Sequence, residues 1–113
     1  MPSFVIDYLE FPSADNAASR NFYAAAFGWS FIHYGDSYDE IRDAGIGSGI
    51  NADLADRSFA PMAVIRTDDL VAAEKAVLDA GGTITRQPYD FPGGRRFLFR
   101  EPGGAEFAVY VGD

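Results

Sequence analysis

Few residues of this 113-residue chain are equipped for chemistry, and their scarcity is informative. There is no cysteine, so thiolate nucleophiles, disulfide frameworks and zinc–thiolate sites are excluded. His33 is the one histidine. An imidazole can act as a general acid or base near neutrality, but a two-histidine, one-carboxylate iron site needs a second. Spacing identifies no carboxylate or nucleophile to serve His33, so it reads as a surface or structural residue. Ser3, Ser13, Ser19, Ser30, Ser37, Ser48 and Ser58 all lack a nucleophile-elbow context. Gly93-Gly94 and Gly103-Gly104 lack the Lys and Ser/Thr that complete a phosphate loop, and read as turns. Glu10 and Glu106 remain, at matching phases of the first and last predicted strands. If they shared a cavity, mutual repulsion and burial would raise one of them into the range of a base. The simpler reading places both near a rim, solvated or paired with Arg66.

The elements that must position these groups are legible from periodicity. Phe4 to Phe11 alternates as a strand, with Phe4, Ile6, Tyr8 and Glu10 on one face. Ala14 to Phe27 is a helix, with Asp15 at its start and Gly28 as its stop. Ala18, Phe22, Ala25 and Ala26 form its apolar stripe, which places Phe22 in the core. Trp29 to Tyr34, Tyr38 to Arg42 and a glycine-rich stretch from Ile46 to Leu54 are strands. Pro61 to Thr67 is a further strand, with Met62, Val64 and Arg66 on one face. Asp68 opens a second helix, which Gly81-Gly82 ends. Thr83 to Gln87, Arg96 to Arg100 and Ala105 to Val111 are strands. Phe91 to Gly94 is a loop, and Glu101 to Gly104 a hairpin turn. On the last strand Phe107, Val109 and Val111 should meet the helices, which leaves Glu106, Ala108 and Tyr110 on the other face.

The order is βαβββ twice, and the residues echo it. A shift of 53 positions carries Asp15 onto Asp68, Gly28 onto Gly81 and Phe31 onto Ile84. A shift of 58 relates Ile41 to Gly45 with Phe99 to Gly103. Such repeats indicate one supersecondary unit used twice. The chain is therefore an α+β domain over 1–113, with module one at about 1–54 and module two at about 61–113.

Composition narrows the partners. The net charge of −8 argues against nucleic acid, whose phosphates require clustered Lys and Arg. It would favour a cationic ligand by steering, although solubility is the simpler explanation. No apolar run is long enough to span a bilayer and no leader is apparent, which suits a cytoplasmic protein, as does the lack of cysteine.

The sequence resembles the vicinal oxygen chelate superfamily of glyoxalase I, extradiol dioxygenases and bleomycin-resistance proteins. The resemblance runs through Leu9-Glu10-Phe11-Pro12, Asn21-Phe22-Tyr23 to Phe27-Gly28-Trp29, Val64 to Leu70, and Phe99 to Phe107 with its Pro102-Gly103-Gly104. It covers nearly the whole chain. It implies a curved mixed sheet forming a cup, helices on the convex side, a ligand in the concavity and a homodimer. Metal-dependent members place His, Gln or Glu on four strands lining the cup. Three of those positions fall on Tyr8, on Met62 (six residues before Asp68) and on Ala108 (six after Pro102). The fourth lies within 47–51, which holds neither His nor Glu. The pattern for a metal is therefore broken at each position that can be placed, and no cofactor is expected.

The expected function is thus metal-independent binding of a small organic molecule, cationic if charge steers it, in an aromatic-lined cup. Candidate ligand-binding residues are Tyr8, Glu10, Trp29, Tyr38, Met62, Val64, Arg66, Phe97, Glu106, Ala108 and Tyr110. Two alternatives are a glyoxalase-like lyase or metal-free acid–base enzyme using Glu10 or Glu106, and an accessory domain whose cup is filled by side chains or a partner.

Overall fold

The computed structural model describes residues 3–113. Its elements are β1 (Val5–Pro12), α1 (Asn16–Phe27), β2 (Ser30–His33), β3 (Tyr38–Arg42), β4 (Gly47–Asn51), β5 (Met62–Arg66), α2 (Leu70–Asp79), β6 (Thr83–Phe91), β7 (Gly94–Arg100) and β8 (Glu106–Gly112). This is the α+β architecture of two βαβββ modules. No helix among the described residues is long and apolar enough to cross a membrane.

The chain forms two compact units. One is Tyr8–Met62; the other is Ala63–Asp113 with the chain up to Asp7. In the first, the strand order is β2-β3-β4-β1. β1 runs parallel to β4, and β3 is antiparallel to β2 and β4. In the second, the order is β5-β8-β7-β6. β5 runs parallel to β8, and β7 is antiparallel to β6 and β8. A parallel pair cannot be closed by a tight hairpin, so the helix and the two intervening strands supply the crossover in each module.

The helix ends follow from local chemistry. Asp15 caps α1, its Oδ1 accepting from the Ala18 amide at 3.1 Å. Gly28 closes the helix at φ 73°, a left-handed conformation that costs glycine little. The second helix departs from expectation by one residue. Asp69, not Asp68, is its cap and accepts from the Ala72 amide at 3.0 Å. Two adjacent aspartates make this ambiguous in sequence, since either residue type caps equally well.

In the second unit Ala73 of α2 packs on Phe97 and Val109, all fully or almost fully buried. Leu70, Val77, Ile65, Ile84 and Phe99 surround them. This fixes the helix-facing side of β5, β7 and β8 and confirms the phase read from sequence for Val109. In the first unit α1 buries none of its residues fully. Phe22, expected in the core, is 61% exposed. Its neighbour Tyr23 turns inward instead, with ring contacts to Phe11 at 6.2 Å and Trp29 at 5.5 Å. The stripe of small alanines did not reveal that Tyr23 is the larger inward anchor.

The expected loop at Phe91–Gly94 is shorter than predicted. β6 extends through Pro88 to Phe91, with register irregularities between Ile84 and Arg86 and between Arg86 and Tyr89. Proline is tolerated there because β6 is an edge strand, and bulges release the ladder hydrogen bond that proline cannot donate.

Candidate functional site

Strand registers decide which side chains meet. In the first unit, Glu10 pairs with Gly49, which pairs with Glu40. Pro12 pairs with Asn51, which pairs with Tyr38, and Tyr8 pairs with Gly47. Directly paired residues share a sheet face, so Tyr8, Glu10, Gly49 and Tyr38 lie on one side. The other side carries Phe11, Ile41, Ile50 and Asp39, the last bound to Asn16 and Arg20 of α1.

On the face away from α1, the Tyr8 and Tyr38 hydroxyls are 2.6 Å apart. Tyr38 Oη donates to Glu10 Oε1 at 3.3 Å, and Glu10 is only 3% exposed. The three side chains form a chain of hydrogen bonds that crosses directly over Gly49. A Cβ at that position would collide with both hydroxyls, so the absence of a side chain makes the arrangement possible. At the Tyr8 end lies an open cavity of about 390 Å³, walled by Glu40, Arg42 and the β3–β4 turn from Asp43 to Ile46. Sequence singled out Tyr8, Glu10 and Tyr38; it gave no role to Gly49, because the need for glycine there comes from a register between strands distant in sequence.

In the second unit, Val64 pairs with Ala108, which pairs with Leu98; Arg66 pairs with Tyr110, which pairs with Arg96. These lie opposite the α2-facing core, as alternation predicted. Met62, the last residue of the first unit and the first of β5, has the strand phase of Val64 and is almost fully buried, and Ala108 is buried too. Tyr110 Oη donates to Asp7 Oδ2 at 2.9 Å. Burial, with this hydrogen bond and the Asp7 charge, pushes the Tyr110 phenol above its ordinary value of 10.0, against the opposing charge of Arg66. The other Asp7 oxygen, Oδ1, is buried with no hydrogen-bond partner. Glu106 accepts from Thr85 Oγ1 at 2.7 Å and lies 3.9 Å from Arg100. The expected partner was Arg66; the register instead sets Glu106 directly opposite Arg100.

Two candidates fall elsewhere. Phe97 has no exposed surface and sits against Ala73 in the helix-facing core, so it belongs to packing rather than to the open face. Trp29 joins Tyr23 and Phe27 in an aromatic cluster on the α1 side of its unit. His33, read as lacking a carboxylate, has one: its Nδ1 lies 2.7 Å from Asp39 Oδ1. Asp39 is fully buried and also accepts from Arg20 and Asn16. Burial pushes its carboxyl up, but the hydrogen bonds from His33, Arg20 and Asn16 and the charge of Arg20 outweigh it and hold the group below 3.8. The antiparallel register pairs His33 with Asp39 across the β2–β3 hairpin, a contact six residues apart that a linear search for catalytic spacing passes over.

The residues do not fit a divalent metal. Tyr8, Met62 and Ala108 offer a phenol already hydrogen-bonded to Tyr38, a buried thioether and a methyl group. None of these is a good ligand for a hard cation. Among the described residues, no group of three or more His, Cys, Asp or Glu is placed to hold one.

The model of the Glyoxalase/Bleomycin resistance protein/Dioxygenase superfamily matches residues 5–109. A curated relative, the anthracycline biosynthesis protein DnrV of Streptomyces peucetius, is 30% identical over 124 residues, covering 91% of this chain and 45% of the relative. The chain thus spans less than half the length of that relative. Among solved structures, the Mn(II)-bound glyoxalase of Novosphingobium aromaticivorans aligns with a TM-score of 0.65 at 21% identity, over 94% of this chain and 38% of that one. Methylmalonyl-CoA epimerase of Mycobacterium tuberculosis aligns at 0.68 and 15% identity, over 95% and 87%. At these identities the two structures establish the fold.

Proposed function

Since the chain belongs to the Glyoxalase/Bleomycin resistance protein/Dioxygenase superfamily, we propose that it is a metal-independent member that binds a small organic molecule against the aromatic and polar residues of its open strand faces. The observation that carries this reading is the fate of Tyr8. It stands where the family resemblance expects a metal ligand, and its hydroxyl is tied into the Tyr38–Glu10 chain beside a cavity of about 390 Å³. That volume is within the range of small-molecule sites. The acidic chain, with Glu10 and Asp7 on or beside the open faces, favours a ligand of neutral or positive charge. The relative's name adds polycyclic aromatic compounds of the anthracycline class to those worth screening. A homodimer and a cytoplasmic location are part of the same proposal; the dimer draws support from the exposed Phe22 and Phe27 of α1.

A second reading, a metal-free acid–base enzyme, is favoured by one feature. Glu10 is a buried carboxylate held by a phenol within a hydrogen-bond chain. Glu106, bound by Thr85 and exposed to Arg100, is the weaker candidate for such a role.

The test is a thermal-shift screen of aromatic organic compounds with Tyr8→Ala and Tyr110→Ala variants. A hit that raises the melting temperature of the wild type should lose most of that shift in Tyr8→Ala. The reading is wrong if both variants are stabilised as fully as the wild type.

A further inference from the structure

We propose that the cavity at the β3–β4 turn selects a zwitterion, a molecule whose ammonium and carboxylate groups stand side by side as in an aromatic α-amino acid. This rests on the small-molecule-binding reading above and names the charge pattern of the ligand.

The cavity follows from register. On the open face of the first unit, β4 presents Gly47 opposite Tyr8 and Gly49 opposite Glu40. Arg42 stands two residues beyond Glu40 on the same strand and so shares its face. Gly47 brings no side chain to the lining, and Glu40 and Arg42 form the wall on the β3 side. Arg42 Nη1 donates to Glu40 Oε1 at 3.4 Å. Both side chains keep access to solvent, 54% for Arg42 and 34% for Glu40. An exposed pair at that separation holds together weakly, so it can trade its mutual contact for contacts to a ligand.

The pair offers one positive and one negative group in close succession. An α-amino acid carries its own two charges on one carbon, at a similar spacing. Laid head to tail over the wall, its carboxylate meets the planar guanidinium of Arg42, which suits two parallel N–H···O bonds. Its ammonium meets Glu40. No charge on either side is then left without an opposite one. Asp43, whose Oδ2 accepts from Ser30 Oγ at 3.2 Å, adds a second carboxylate to the lining. The ammonium is therefore the better-served end. Ile41, Ala44 and Ile46 supply apolar surface for a ring, and Ile46 is 39% exposed. A zwitterion is neutral as a whole, so the net charge of −8 does not repel it.

The experiment titrates the full chain with phenylalanine, phenethylamine and 3-phenylpropionate, followed by NMR chemical shifts at physiological ionic strength, where distant charges are screened. The second and third compounds each lack one charged group of the first and keep its ring. Phenylalanine should bind roughly three- to fivefold more tightly than phenethylamine, the worth of one exposed ion pair, and 3-phenylpropionate should bind most weakly. Arg42→Gln should remove the advantage over phenethylamine. Glu40→Gln should narrow the advantage over 3-phenylpropionate. Equal wild-type affinities for phenylalanine and phenethylamine, which need no variant to interpret, would overturn the zwitterion while leaving the binding reading intact. An advantage over phenethylamine that survives Arg42→Gln would overturn it too. If none of the three binds while a hit from the thermal-shift screen still depends on Tyr8, this inference falls and the binding reading stands. If no compound of either set binds, both fall.

Discussion

The chemistry of single residues is set by their partners, and partners were the part hardest to read from the sequence. Tyr8, Glu10 and Tyr38 were each singled out by face and type, but their union over Gly49 depends on the β1–β4 and β3–β4 registers. Asp39 shows the same limit more sharply. It looks like an ordinary strand aspartate, yet it is fully buried and gathers Asn16, Arg20 and His33. Its pKa gives a test with a definite sign. The folded value lies below the ordinary 3.8, so the unfolded chain binds more protons in that interval. The stabilisation is therefore fully present above the unfolded value and is lost as pH falls through the folded one. Asp39→Asn should cost about 1–3 kcal/mol near neutrality, where three donors lose their charged acceptor. In urea unfolding measured between neutrality and acid, the gap between wild type and variant should close only below about pH 4. A gap independent of pH would mean that the charge on Asp39 is not what holds the network.

Elements were read more successfully than partners, because alternation and helix caps are local signals. The phase of β8 placed Val109 inward and Ala108 outward, and the Ala73–Phe97–Val109 core agrees. Where elements were misread, long-range packing decided: Phe22 faces outward and Tyr23 inward, and β6 runs through Pro88 because it is an edge. The phase of β7 was the missing step for Phe97, which looked like a ligand-stacking residue only because its strand was not assigned a face. The second helix offers a clean comparison of two adjacent aspartates. Asp69→Ala removes the bond to the Ala72 amide and should lower stability by about 1 kcal/mol. Asp68→Ala, at an exposed position outside the cap, should change it by less than about 0.5 kcal/mol. Chemical denaturation of the two variants distinguishes them, and an equal loss in both would contradict the cap assignment.

At the scale of the molecule, the internal echo was a sound guide to architecture. Each module repeats a parallel pair, β1 with β4 and β5 with β8, linked by a helix and two intervening strands. The repeat has also diverged in its details, since the caps Asp15 and Asp69 stand 54 residues apart while the closing glycines Gly28 and Gly81 stand 53 apart. The family resemblance would place metal ligands at Tyr8, Met62 and Ala108, and a bonded phenol, a buried thioether and a methyl group are poor ligands for a hard cation. Membership of the superfamily follows from the whole chain; the activity must be sought in these few positions. The measurement that bears most directly on the account is ligand affinity before and after chelation, with metal content determined on protein purified without chelator. The account predicts far less than one equivalent of manganese, nickel, zinc or iron, and an affinity for the aromatic hit of the thermal-shift screen that EDTA leaves unchanged. Stoichiometric metal, with binding lost on chelation and restored when the ion is returned, would contradict it.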